Sequence, residues 1–163
     1  MAKAKRAVPE GYRTVTPSLV QDDTAKAIEW YKRALGAEEI SRAVGGDGKV
    51  MHSEIRVGDS RVMMNDVMMG VKGPKEMGGS PASLWLFVED CDAYFNRAVA
   101  AGAMAIMPLG DMFWGDRFGA ILDPFGYRWS FATRKEDLTP DEMQKRQKEW
   151  EKQTAAQMTG KKP

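Results

Sequence analysis

Histidine and cysteine are nearly missing from this chain: His52 and Cys91 stand alone. Zinc, iron and nickel sites usually draw on several imidazole or thiolate ligands. A site of that kind within one subunit is therefore nearly excluded, while carboxylate-held magnesium or manganese stays open. A single cysteine allows no internal disulfide, which fits a reducing compartment and makes the cytoplasm the expected location. Neither sign of charge dominates: 24 basic side chains meet 23 acidic ones, a formal net charge of +1. With both signs interspersed, the chain shows no footprint for nucleic acid or an anionic membrane. No apolar run is long enough to span a bilayer, and the basic start MAKAKRAVPEGY lacks the hydrophobic stretch of a signal peptide.

What remains is an ordinary globular composition, 43% hydrophobic and 29% charged over 163 residues. A chain of this size buries roughly 70% of its unfolded surface and needs no covalent staples. Its organisation is doubled. The β-rich Tyr12–Val20 ends in QDD, where Asp22 and Asp23 cap the helical TAKAIEWYKRALG. In that helix Ala27, Ile28, Tyr31, Ala34 and Leu35 share a face, and Gly36 supplies the stop. Three strand candidates follow, AEEISRAV, KVMHSEIRV and SRVMMND, separated by the turn signals GGDG and GD. The second half repeats the order: SLWLFVE, a cap at Asp90, the helix DAYFNRAVAAG ending at Gly102, then AMAIM, WGDRFGAILD and GYRWSFAT. Asp23 matches Asp90 and Ile28 matches Phe95 at the same offset.

These signals divide the chain into a βαβββ module over 12–66, a Gly- and Met-rich connector over 67–81 that reads as mobile, and a second βαβββ module over 82–133. A helix over 138–158 is appended. It opens on a capping box, Thr139 with Glu142, with Pro140 at its first position and Leu138 and Met143 spaced for a hydrophobic staple.

Two such modules in tandem, with AIEWYKRALGAEEI in the first and DPFGYRW in the second, resemble the vicinal oxygen chelate superfamily. That group includes glyoxalase I, extradiol dioxygenases, fosfomycin-resistance enzymes and bleomycin-resistance proteins. MHSEIRVGDSRVMMND, VEDCDAYFNRAVAAGA and DMFWGDRFGAILDPFGYRWSFAT look most like its PhnB-like branch. The resemblance implies an α+β fold in which eight mixed strands form a cupped sheet in two halves, helices outside and a ligand cavity inside. Metalloenzymes of the group place histidines and glutamates on inward positions. Their first-strand ligand aligns here with Thr16, its second-module counterpart with Ser83, and the glutamate after the last Asp-Pro-x-Gly turn with Ser130. Its first-module counterpart aligns with Met63, or with Met64 if the register slips. Hydroxyls and thioethers are poor ligands for such metals, so no metal cofactor is expected.

Strand alternation selects further candidates. Ser83, Trp85 and Phe87 face the cup if Leu84, Leu86 and Val88 face the helices. Arg128 and Ser130 then face inward while Trp129 and Phe131 pack outward. In the loop before DPFG, Phe113 and Trp114 suit a flat, partly apolar ligand, and Arg117 suits its anionic group or ring. A local Asp116–Arg117 pair with aromatics covering a subunit interface fits the same residues. The DPFG turn itself reads as structural. His52 and Glu54, two apart on a strand, form a candidate acid-base pair. A hydrogen-bonded structural histidine is the alternative.

The expected function is small-molecule binding in a metal-free cavity, as in bleomycin-resistance proteins. The alternative is a glyoxalase-like lyase or isomerase, or a transferase. It would use a carboxylate-held divalent metal or metal-free acid-base chemistry. A homodimer is expected because open strand edges need covering, with Trp30, Trp114 and Trp150 as surface aromatics that help do so.

Overall fold

The computed structural model describes residues 3–159. Its first half runs β1 (Ser18–Gln21), α1 (Thr24–Leu35), β2 (Glu38–Val44), β3 (Val50–Val57) and β4 (Ser60–Asp66). A short α2 (Pro74–Met77) interrupts the connector. The second half runs β5 (Ser83–Phe87), α3 (Cys91–Ala100), β6 (Met104–Asp111), β7 (Asp116–Leu122) and β8 (Arg128–Arg134), followed by α4 (Pro140–Thr159). The architecture is α+β. Each half builds its own four-stranded mixed sheet, in the orders β1-β4-β3-β2 and β5-β8-β7-β6. The eight strands thus form two sheets, and β1 and β5 are each hydrogen-bonded on one side only.

The duplication extends to register. Ser18 pairs with Met63 in the first sheet and Trp85 with Ser130 in the second, the same displacement that relates Asp23 to Asp90. Both aspartates cap as expected: Asp23 accepts from the Lys26 backbone N–H at 3.0 Å and Asp90 from that of Ala93 at 2.9 Å. Gly36 ends α1 at φ 65°, a left-handed conformation that glycine adopts without steric cost.

The first strand is shorter than the β-rich Tyr12–Val20 suggests. Pro17 has no N–H for a ladder, and only its carbonyl pairs, accepting from Met63 at 2.9 Å. The residues before it turn instead, with the Tyr12 N–H bonded to the Pro9 carbonyl and Thr16 Oγ1 to that of Arg13.

The core lies between helices and sheets and runs through both modules. Tyr31, Ile28 and Leu35 of α1 share it with Phe95 of α3 and with Trp129 and Phe131 of β8. Trp30 belongs here too, at 3% exposure. The expectation of a surface aromatic fails because its indole N–H reaches the Ala101 carbonyl of the other module at 2.8 Å. Asp123, first residue of the DPFG turn, accepts from the Tyr31 hydroxyl at 2.7 Å and the Trp129 indole at 2.9 Å. The turn therefore joins the modules as well as two strands. The connector is pinned where Pro74 packs on Gly126, whose φ is 94° and where a Cβ would come within 2.7 Å of the proline ring. The α4 capping box forms, with Thr139 N–H donating to Glu142 Oε2 at 2.8 Å and Glu142 N–H to Thr139 Oγ1 at 3.3 Å. Among the described residues no helix is long and apolar enough to cross a membrane.

Candidate functional site

The helices cover one face of each sheet and leave the other open. In the second sheet, Leu84, Leu86, Trp129 and Phe131 pack into the helix-covered core. Alternation turns Ser83, Trp85, Phe87, Arg128 and Ser130 to the open face. Ser130 is buried there, whereas Trp85 is 46% and Phe87 63% exposed. Trp85 stacks on Phe118 of β7, ring centroids 4.6 Å apart and 28° from parallel. Phe118 in turn meets the edge of Trp114 at 5.8 Å. The Trp114 indole is fixed by a 3.0 Å bond to Asp116 Oδ2, and Phe113 lies edge-on to it. Phe113 also meets Trp150 of α4 at 5.3 Å. A continuous aromatic band therefore crosses the open face, over a floor of the small residues Ala120, Ser130 and Ala132.

Beside this band lies a cavity of about 880 Å³, between the free edges of β1 and β5 and the turn at Gly58. Thr16, Ser83 and Trp85 are in its wall. Thr16 is there as part of the segment before β1, not as a strand position.

The first sheet's open face is polar. His52 Nε2 lies 3.1 Å from Glu54 Oε1, and Arg61 donates to Glu54 Oε2 at 2.9 Å. The Arg61 guanidinium sits over the Tyr12 ring, 4.8 Å from its centroid. Burial pushes the Glu54 carboxyl up, but bonds from Tyr12, His52 and Arg61 outweigh it and hold the group below the usual range. The same bond to Glu54 raises the Tyr12 hydroxyl. A carboxylate with three donors stays ionised and is a weak proton acceptor.

Arg117 does not join the open face. On β7 the inward neighbour is Phe118, so Arg117 points towards α3, where it binds Asp92 at 2.7 and 2.8 Å and Asp111 at 3.3 Å. Asp116 pairs with Arg134 instead, at 2.9 Å. Tyr12, Arg61 and Phe118 are the open-face residues that the sequence alone does not single out. For Phe118 the usable signal is its alternation with Ala120, opposite the core residue Ile121.

Residues 13–131 match the glyoxalase/bleomycin resistance protein/dioxygenase superfamily. The chain belongs to that superfamily. An uncharacterized protein of Mycobacterium tuberculosis is 42% identical over 135 residues, covering 80% of this chain and 79% of that protein. Among solved structures, TioX from Micromonospora sp. ML1 is 26% identical with a TM-score of 0.60, covering 78% of this chain and all of TioX. A bleomycin resistance determinant encoded on the transposon Tn5 shares the fold at 19% identity and a TM-score of 0.58, covering 76% of this chain and 99% of that one.

Membership raises the question of a metal, because metalloenzymes of this superfamily are the source of the ligand pattern aligned above. The parallel pairs put Ser18 opposite Met63 and Trp85 opposite Ser130, so Met63 rather than the buried Met64 is on the open face. The aligned positions Thr16, Met63, Ser83 and Ser130 offer three hydroxyls and a thioether, which do not fit a divalent transition metal. Among the described residues no group of three or more His, Cys, Asp or Glu side chains is placed to hold an ion.

Proposed function

We propose that the protein binds a small, flat, largely apolar molecule in the cavity between β1 and β5, without help from a transition metal. One observation carries this: Trp85, stacked on Phe118 and half exposed, lines the cavity two residues along the same strand face from Ser83, the position aligned with a metalloenzyme ligand. Large rings left open to water on a rigid sheet are costly unless something covers them, and each aromatic contact with a flat ligand contributes about 0.5–1.5 kcal/mol beyond its buried area. The fold shared with a bleomycin resistance determinant points the same way. A homodimer working in the cytoplasm completes the proposal, the dimer covering apolar strand edges.

A second reading has one specific observation in its favour, the His52–Glu54 contact on the first sheet's open face. It would make the protein a lyase or isomerase using acid-base chemistry. The ionised, three-donor state of Glu54 suits it to holding Arg61 and His52 in place rather than to taking a proton.

A melting-temperature screen of a chemically varied library against wild type and Trp85→Ala tests the binding role. A ligand at about a hundred times its Kd stabilises a protein by about 2.7 kcal/mol. Compounds that raise the wild-type midpoint and lose that effect in Trp85→Ala are expected. A library whose hits stabilise both proteins equally would place binding elsewhere.

A further inference from the structure

The strands set four arginines on the open faces: Arg56 and Arg61 in the first sheet, Arg128 and Arg134 in the second. Three of them have a carboxylate. Arg56 is bonded to Glu38, Arg61 to Glu54 and Arg134 to Asp116. Arg128 is exposed and has no ion-pair or hydrogen-bond partner among the described residues.

The internal duplication shows what that cation lacks. Arg61 opens the run Arg61–Val62–Met63 on β4, and Arg128 opens Arg128–Trp129–Ser130 on β8, with Met63 and Ser130 in equivalent register. On the neighbouring strand Glu54 faces Met63 in the first module. In the second module the residue facing Ser130 is Ala120. The first arginine is thus neutralised by Glu54 and covered by the Tyr12 ring. Its counterpart keeps the charge and lacks the carboxylate. Arg128 also stands next to the cavity: its register partner is Ser83, in the cavity wall, and Trp85 is one step along the same face. A guanidinium beside an indole plane is suited to a planar anion, which it binds through paired N–H donors while the ring covers the apolar body.

We infer that the ligand of this cavity is a flat apolar molecule bearing an anionic group, which takes at Arg128 the place that Glu54 takes at Arg61. The inference rests on the proposed binding role and adds the charge of the ligand and the residue that reads it.

Two fluorescent probes with the same ring system separate the two claims: anilinonaphthalene sulfonate, which is anionic, and N-phenylnaphthylamine, which is not. Each is titrated into full-length wild type, Arg128→Gln, Arg128→Lys and Trp85→Ala, with the melting temperature of every variant recorded. Arg128→Gln is expected to weaken the sulfonate by about tenfold, the loss of one hydrogen-bonded charge contact, and to leave the neutral amine within about twofold. Arg128→Lys is expected to recover part of the sulfonate affinity, and Trp85→Ala to weaken both probes. If Trp85→Ala weakens both but Arg128→Gln changes neither, or changes both alike, the anionic assignment is overturned while the cavity stands. If Trp85→Ala changes neither, the binding role itself fails.

Discussion

Trp30 and Arg97 hold equivalent places in the two modules, and each donates through its side chain to the other module's helix end. Trp30 Nε1 bonds the Ala101 carbonyl at 2.8 Å and Arg97 Nε bonds the Ala34 carbonyl at 2.9 Å. Ala101 is the C-cap of α3 and Ala34 lies in the last turn of α1, where carbonyls have no acceptor role left inside their own helices. The two bonds are related by the same pseudo-symmetry as the sheets, and together they tie α1 and α3 to each other across the modules.

Trp30→Phe keeps most of the ring volume and removes the donor. It is expected to cost about 1–2 kcal/mol, a fall of roughly 2–8 °C in melting temperature for a domain of this size. Urea unfolding followed by circular dichroism checks it. An unchanged midpoint would mean that the modules are held together without this bond.

Arg117→Ala should lower stability and spare ligand binding, the reverse of what its place beside Trp114 in the sequence suggests. Its bonds hold the Asp92 carboxyl below the usual range. A carboxyl depressed in the native state contributes stability that is present above its unfolded value, about 3.9, and is lost as pH falls through the native one. The urea midpoints of wild type and Arg117→Ala should therefore differ at neutral pH and converge below about pH 4. Equal midpoints at neutral pH together with weakened probe binding would return Arg117 to the site.

Tyr31→Phe removes the 2.7 Å bond to buried Asp123. Burial raises the Asp123 carboxyl in spite of its donors, so its contribution has the opposite sign: it is full below the unfolded value and lost as pH rises through the native one. Without the tyrosine the ionised carboxylate is less well supported. The destabilisation, about 1–3 kcal/mol at neutral pH, should shrink as the pH is lowered. A gap independent of pH would show that Asp123 does not titrate in the native protein.

Much of this was legible beforehand. Cap residues, glycine stops and the alternation of SLWLFVE and YRWSFA are local signals, and they placed α1, α3 and the open-face residues Trp85, Arg128 and Ser130. The failures share a cause. Alternation puts Thr16 in a strand that Pro17 delays, because a proline carbonyl can join a ladder whose N–H side it cannot complete. Proximity along the chain groups Arg117 with Trp114, although a strand sends adjacent side chains to opposite faces. Nothing in the sequence marks Trp30 as buried, because its partner, the Ala101 carbonyl, lies in the other module. Arg61 had a mark that only the duplication reveals, its equivalence to Arg128.

A homodimer is expected from the edges. Ile40 and Val44 of β2 and Ile106 and Met107 of β6 are 40, 55, 43 and 38% exposed on the outermost strands, where unpaired backbone and apolar side chains favour association. Sedimentation at micromolar concentration should give twice the 18.2 kDa chain mass. A chain ending at Asp137 should still fold, since α4 meets the second module through Trp150 on Phe113, while its Arg146 pairs with Glu136 in the linker before it. A mass of one chain, or an insoluble truncation, would contradict this.

The central claim is that the cavity between β1 and β5 binds its ligand without a transition metal, and one titration tests it most directly. Untagged protein is dialysed against chelator, its metal content is measured, and the binding of anilinonaphthalene sulfonate is followed before and after, with Trp85→Ala alongside. Affinity that survives dialysis unchanged, sub-stoichiometric metal throughout and weakened binding in Trp85→Ala are the predicted results. Near-stoichiometric metal that resists dialysis, or binding lost with chelator and restored by zinc, nickel, manganese or iron, would contradict it.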